Sequence, residues 1–148
     1  MSLNPQAIKA GFRNAMINST PLMAKITGVY HITAPAGTAY PYILYYGGNG
    51  FSELTFTEYV DTVRFTLDIW AKDTATKKAG TILDEIVPLV ATALDCATLT
   101  VTGYSGVVCE RAGLPLELAA EPEEAAEVRR AILQYLVRVS VTRGRVLT

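Results

Sequence analysis

The side chains able to do acid–base or nucleophilic chemistry in this chain are few and scattered. His31 is the single histidine, so a serine hydrolase would have to use it as general base. No serine sits in a nucleophile elbow: Gly103-Tyr104-Ser105-Gly106 lacks the second spacing of Gly-x-Ser-x-Gly. The densest carboxylates, Glu121, Glu123, Glu124 and Glu127, surround Pro122 in a polar stretch. They read as a solvated acidic loop rather than a cation site. Gly47-Gly48-Asn49-Gly50 lacks the lysine and following Ser/Thr of a phosphate loop, and it joins strands instead of opening a helix. Cys96 and Cys109 belong to no Cys-x-x-Cys or Cys/His cluster. They read as two reduced, partly buried thiols of an intracellularly made protein. Catalysis is not expected, nor is a cofactor or a metal.

Three polar features have a structural use instead. Asp68 shares the even face of an extended run with Arg64, Thr66 and Trp70, which would be a ligand shelf or, more plainly, a solvent-facing or helix-covered polar face. Eight tyrosines, four of them at Tyr40, Tyr42, Tyr45 and Tyr46, favour a partly buried and partly wet surface such as an interface. Charge is segregated: six glutamates fall between Glu110 and Glu127, then five arginines follow (Arg129, Arg130, Arg138, Arg143, Arg145) with no acid. The plain reading is an acidic loop beside its own basic strand. The functional one is complementary patches pairing neighbouring copies, or arginines facing a phosphate backbone.

The elements that would carry these residues can be read from spacing. Asn4-Pro5 starts a helix, and Ile8, Phe12, Ala15 and Met16 form its apolar stripe. Gly11 within it costs roughly 1 kcal/mol of helix stability, so its presence suggests close packing. Residues 28–32 form a short strand, and Tyr40-Pro41 opens a second over 42–46, with the glycines at 47–50 as a turn. Leu54 and Phe56 lie on even positions but Val63, Phe65, Leu67 and Ile69 on odd ones. Period-two faces do not change parity inside a regular strand, so two segments are expected, broken near 58–62 and forming a projecting arm.

Asp73 or Thr74 caps a long helix over about 74–95, with the stripe Ala79, Ile82, Leu83, Ile86, Val90, Ala93 and Leu94. Pro88 inside it removes one backbone bond and should kink it. Leu99 and Val101 alternate with threonines in another strand, and residues 103–111 continue extended. Residues 114–120 fit no single pattern. The segment from Arg129 to Arg143 alternates in period two and is rich in β-branched residues, which predicts a final strand. The class expected is α+β: a mainly antiparallel sheet of about four to six strands, with an N-terminal helix and the long helix packed on one face.

With 148 residues the chain fits one domain, 1–148, and chains of this size bury roughly 70% of their unfolded surface. Hydrophobic residues make up 50% and charged residues 18%, a folded composition with apolar surface available for a subunit contact. The net charge of −1 argues against nucleic-acid binding through bulk charge. No apolar run approaches a membrane span, and no secretory signal pattern opens the chain. A soluble protein made in a cytoplasm is expected.

The order of elements resembles the tail-terminator or tail-completion family of long-tailed bacteriophages. The resemblance runs from the N-terminal helix through "VYHITAPAGTAYPYILYY", "VRFTLDIWAKD", "AGTILDEIVPLVATAL" and "LTVTGYSGVVCER" to a strand ending "YLVRVSVT", and covers roughly residues 5–143. It implies a structural virion protein of phage or prophage, made in the bacterial cytoplasm and located in the virion tail or neck. It implies a ring, commonly of six copies, at the head-proximal end of the tail tube. That ring ends tube polymerisation and docks to the head connector, while DNA passes through its lumen without specific binding. No catalytic or cofactor residues come with it. The surface expected to meet another subunit or the tube comprises Asn49, Phe51, Glu53, Arg129, Arg130 and Arg138. The alternatives are another neck or tube subunit, or a small ligand-binding or enzymatic α+β domain with a pocket lined by His31 or Asp68.

Overall fold

A computed structural model describes residues 5–54, 58–95, 97, 99–104, 106–119 and 128–142. The chain forms α1 (Pro5–Ile17), α2 (Thr20–Met23), β1 (Val29–His31), β2 (Tyr42–Leu54), β3 (Glu58–Lys72), α3 (Ala79–Leu94), β4 (Gly106–Arg111), β5 (Leu116–Ala119) and β6 (Val128–Thr142). The strands make one open sheet ordered β1-β2-β3-β6-β4, with β5 also paired to β6. All ladders are antiparallel except β1 with β2, which is parallel. The fold is therefore the α+β class that the spacing predicts.

β3 and β6 form the spine, paired without a register shift from Glu58↔Thr142 to Lys72↔Val128. Their odd residues point one way and are buried: Phe65, Leu67, Ile69 and Ala71 on β3; Ala131, Leu133, Tyr135, Val137 and Val139 on β6. Shifting either strand by one residue would turn that whole set outward, so the alternation fixes the register. The helices cover this face. Ile8, Phe12 and Met16 of α1 and Leu83, Ile86, Val90 and Leu94 of α3 join the strands in one cluster. At its centre Phe12 stacks on Phe65, centroids 4.4 Å apart and planes 8° from parallel, with Tyr45 and Tyr135 tilted against it at 6.3 and 6.2 Å. The hydroxyl of the wholly buried Tyr135 donates to Asp95 Oδ1 at 2.8 Å. Burial first, and Asp95 second, push its pKa above the ordinary tyrosine range.

Gly11 is where α1 meets the 99–102 segment. A Cβ there would stand 2.7 Å from Val101 Cγ2 and 2.8 Å from the Thr100 carbonyl oxygen, so the suggested close packing is present. Leu99 and Val101 are buried as a strand pattern requires. They are nevertheless not in a ladder, because the segment leans on α1; the bridge beside β4 is Ala97↔Cys109. Residues 116–119, which fit no pattern, form β5.

Three expectations about boundaries change. Gly47–Gly50 is not a turn: β2 continues through it to Leu54, with a register shift against β3 between Gly47 and Gly50. Glycines accept the backbone of a bulge as readily as that of a turn. β3 is unbroken from Glu58 to Lys72, so no break falls at 58–62. Leu54 ends β2 and Val63 belongs to β3, so the two parities sit on different strands; Phe56 lies outside the described residues. The long helix begins at Ala79 rather than near 74. Thr74 Oγ1 accepts from the Lys77 N–H at 3.0 Å, and the Thr74 N–H donates to the Lys77 carbonyl at 2.8 Å. That turn holds the chain out of the helix. Asp73 still acts as a cap across it, its Oδ1 accepting from the Ala79 N–H at 2.6 Å. Pro88 lies inside α3 on its exposed side.

Candidate assembly interface

Among the described residues, those that suggested chemistry stay apart in the fold. His31 ends β1, exposed, with its ring 5.1 Å from that of Tyr45. Among the described residues no three His, Cys, Asp or Glu side chains stand close enough to hold a metal. The Cys109 side chain is buried. Cys96, Ser105 and the acidic group at 121–127 lie outside the described residues. A groove of about 330 Å³ runs between α1 and the 99–102 segment, lined by Ala7, Ala10, Gly11, Asn14 and Thr100 among others. Neither His31 nor Asp68 lines it.

Asp68 is the best-built polar position, on the face away from the helices. Period two places it with Trp70 on β3, opposite Leu44 and Ile132. The carboxylate is buried, with Arg130 Nη1 at 3.6 Å from Oδ2 and a hydrogen bond from the Tyr46 hydroxyl. Arg130 also lies over the Trp70 ring, 5.3 Å from the centroid. Burial raises the Asp68 pKa, while Arg130 and Tyr46 pull it down. Asp68 Oδ1 and Trp70 Nε1 are buried with no hydrogen-bond partner. This is the expected even face; it is turned away from the helices rather than covered by them, and it is half-buried, aromatic and cationic.

The six expected contact residues divide into two groups. Asn49, Phe51 and Glu53 lie on the distal half of β2, with Phe51 paired to Thr62, Glu53 to Val60, and Asn49 inside the register shift. Arg129, Arg130 and Arg138 lie on β6 in the middle of the sheet. Arg138 Nη2 pairs with Glu110 Oε1 at 3.4 Å, so part of the basic strand meets an acid of its own chain. Arg129 is exposed and opposite Ala71.

The sheet margins differ in how their backbone groups are used. β1 is closed: Arg13 Nε donates to the Val29 carbonyl at 3.3 Å, and the Thr33 N–H donates to the His31 carbonyl at 2.7 Å. β4 is occupied at Cys109, whose N–H donates to the Ala97 carbonyl at 3.1 Å. β1 covers β2 only from Ile43 to Tyr45, and no described residue pairs with the outer edge of β2 from Tyr46 to Leu54. Sequence reasoning missed this edge because the glycine run hid the strand.

The chain matches the family model described as tail completion protein gp17 over residues 12–140, and it belongs to that family. Among solved structures it is similar to a chain in the virion of a native gene transfer agent particle, with 18% identity, TM-score 0.72, and 92% of this chain and 96% of that one covered. It is also similar to the gp17 protein of bacteriophage SPP1, with 17% identity, TM-score 0.56, and coverage of 93% and 91%. At these identities the likeness is one of fold. No curated protein matches the sequence.

Proposed function

We propose that this chain is a structural tail-completion protein acting as one domain. It forms a ring on the head-proximal end of a phage or prophage tail tube, ends tube growth and offers its far side to the head connector. DNA passes through the lumen without sequence-specific contact, and no catalysis is involved. The observation that carries this reading is the family match over nearly the whole chain, supported by a sheet that is left open along one long edge. An unpaired edge invites pairing with another chain, and identical copies meeting head to tail close into a ring. Asn49, Phe51 and Glu53 then sit at the contact between copies. Arg129, Arg130 and Arg138 belong to a surface presented to the tube or the channel.

Light scattering of the purified protein, alone and with tail tubes, tests the reading. Oligomers of one defined size, or tube-bound material recovered as such oligomers, are expected. A strictly monomeric species that ignores tubes overturns it. Long filaments formed by the chain alone would identify a tube subunit instead.

A further inference from the structure

Two strand edges are left without a partner among the described residues: β2 from Tyr46 to Leu54, and the side of β5 (Leu116–Ala119) turned away from β6. They lie on opposite margins of the sheet. β2 and β6 each run antiparallel to β3, and β5 runs antiparallel to β6, so β2 and β5 are opposite in sense. Two copies side by side thus bring an uncapped β2 against an uncapped β5 in the antiparallel arrangement.

Apolar exposure marks the same two places. The most exposed large apolar side chains among the described residues are Leu114, at 87%, and Ile32, at 57%. Leu114 is two residues before β5. Ile32 follows β1 directly, and its N–H donates to the Tyr45 carbonyl at 2.9 Å, at the start of the open stretch of β2. Ile32 also has φ of +68°, a left-handed conformation that a β-branched residue rarely adopts. That conformation turns the chain off the edge of β2 and leaves the edge clear. An exposed isoleucine in a strained turn serves nothing inside this monomer, whereas asparagine would fit the turn better.

Resting on the ring reading, we propose that neighbouring copies are joined by β5 of one copy pairing antiparallel with β2 of the next from Tyr46 onward, with Ile32 and Leu114 buried at the joint. Register supplies a check. Ala119 is level with Ala71 and Leu116 with Asp68, whereas Tyr46 is level with Thr66. Outward-facing backbone groups must oppose one another, so the offset is even, and the next copy must sit about six residues along the strands, which is ~20 Å at 3.3 Å per residue. Across the four strands β2, β3, β6 and β5, at ~4.8 Å each, that offset corresponds to strands tilted by about 45°, at the upper end of the range of closed barrels. The offset is that of a tilted ring, without net rise from copy to copy.

Three variants test the joint against the wild type on tail tubes. Ser52 follows the register shift and is paired with Asp61, which turns its N–H outward; Ser52→Pro removes that donor and spares the ladder to β3. Ile32→Asn relieves the turn and removes the apolar contact. A Phe51→Cys chain mixed with a Leu116→Cys chain places thiols on either side of the joint. The proposal expects folded Ser52→Pro and Ile32→Asn proteins that lose assembly at least tenfold, with Ile32→Asn melting no lower than wild type. It also expects a disulfide-linked pair from the mixed cysteine chains in excess of either chain alone. Normal assembly of both Ser52→Pro and Ile32→Asn, without that cross-link, overturns the joint and leaves the ring standing. Failure of the wild type to assemble on tubes overturns both.

Discussion

Asp68 and Arg130 show what a single pair does on the helix-free face. The carboxylate is buried and its Oδ1 has no donor, so its remaining partners, Arg130 and Tyr46, bear the cost of keeping it charged. Arg130→Ala should lower stability by about 1–3 kcal/mol, because it strands a buried acid, as read by chemical denaturation at neutral pH. The pH dependence follows from the raised Asp68 pKa. An acid that binds its proton more readily in the folded state penalises folding at high pH, and the penalty fades as pH falls through the raised folded value toward the unfolded one. Asp68→Asn removes that group. The difference in stability between Asn and Asp variants should therefore favour Asn most near neutrality and shrink toward pH ~4. A difference that grows on acidification would contradict the burial argument.

At the scale of elements, the pattern of legibility has physical causes. The period-two runs of β3 and β6 and the stripes of α1 and α3 were readable because each buries one face against the same core. Boundaries set by local hydrogen bonds were not readable. Thr74 and Lys77 form a turn that delays α3, and the glycines of β2 allow a bulge where a turn was equally allowed. Contacts between elements decide two predictions here. Gly11→Ala gains about 1 kcal/mol of helix propensity, yet its Cβ would press on Val101 and on the fixed Thr100 carbonyl. A net loss of about 1–3 kcal/mol is expected from overpacking. Asp73→Ala removes the acceptor for the Ala79 N–H and should cost about 1 kcal/mol. Thermal melts of the two variants check both values.

At the scale of the whole molecule, the sequence carried the class of the protein further than the place of its contacts. Family resemblance rested on the order of elements, and the fold keeps that order. The expected contact residues, by contrast, come from two distant stretches, 49–53 and 129–138. The fold separates them onto a sheet margin and a sheet face, since neighbours in sequence alternate sides and neighbours on a sheet come from distant segments. Nothing in one chain's pattern states which edges its own backbone has already closed. Arg13 reaching Val29 and Ala97 reaching Cys109 become visible only once the strands are placed.

The role at the tail end is tested most directly by electron microscopy of purified tail tubes incubated with this protein and then supplied with fresh tube subunits. The account predicts one ring of density at one end of each tube and no further growth from that end. Bare tube ends that continue to lengthen in the presence of excess protein would contradict it.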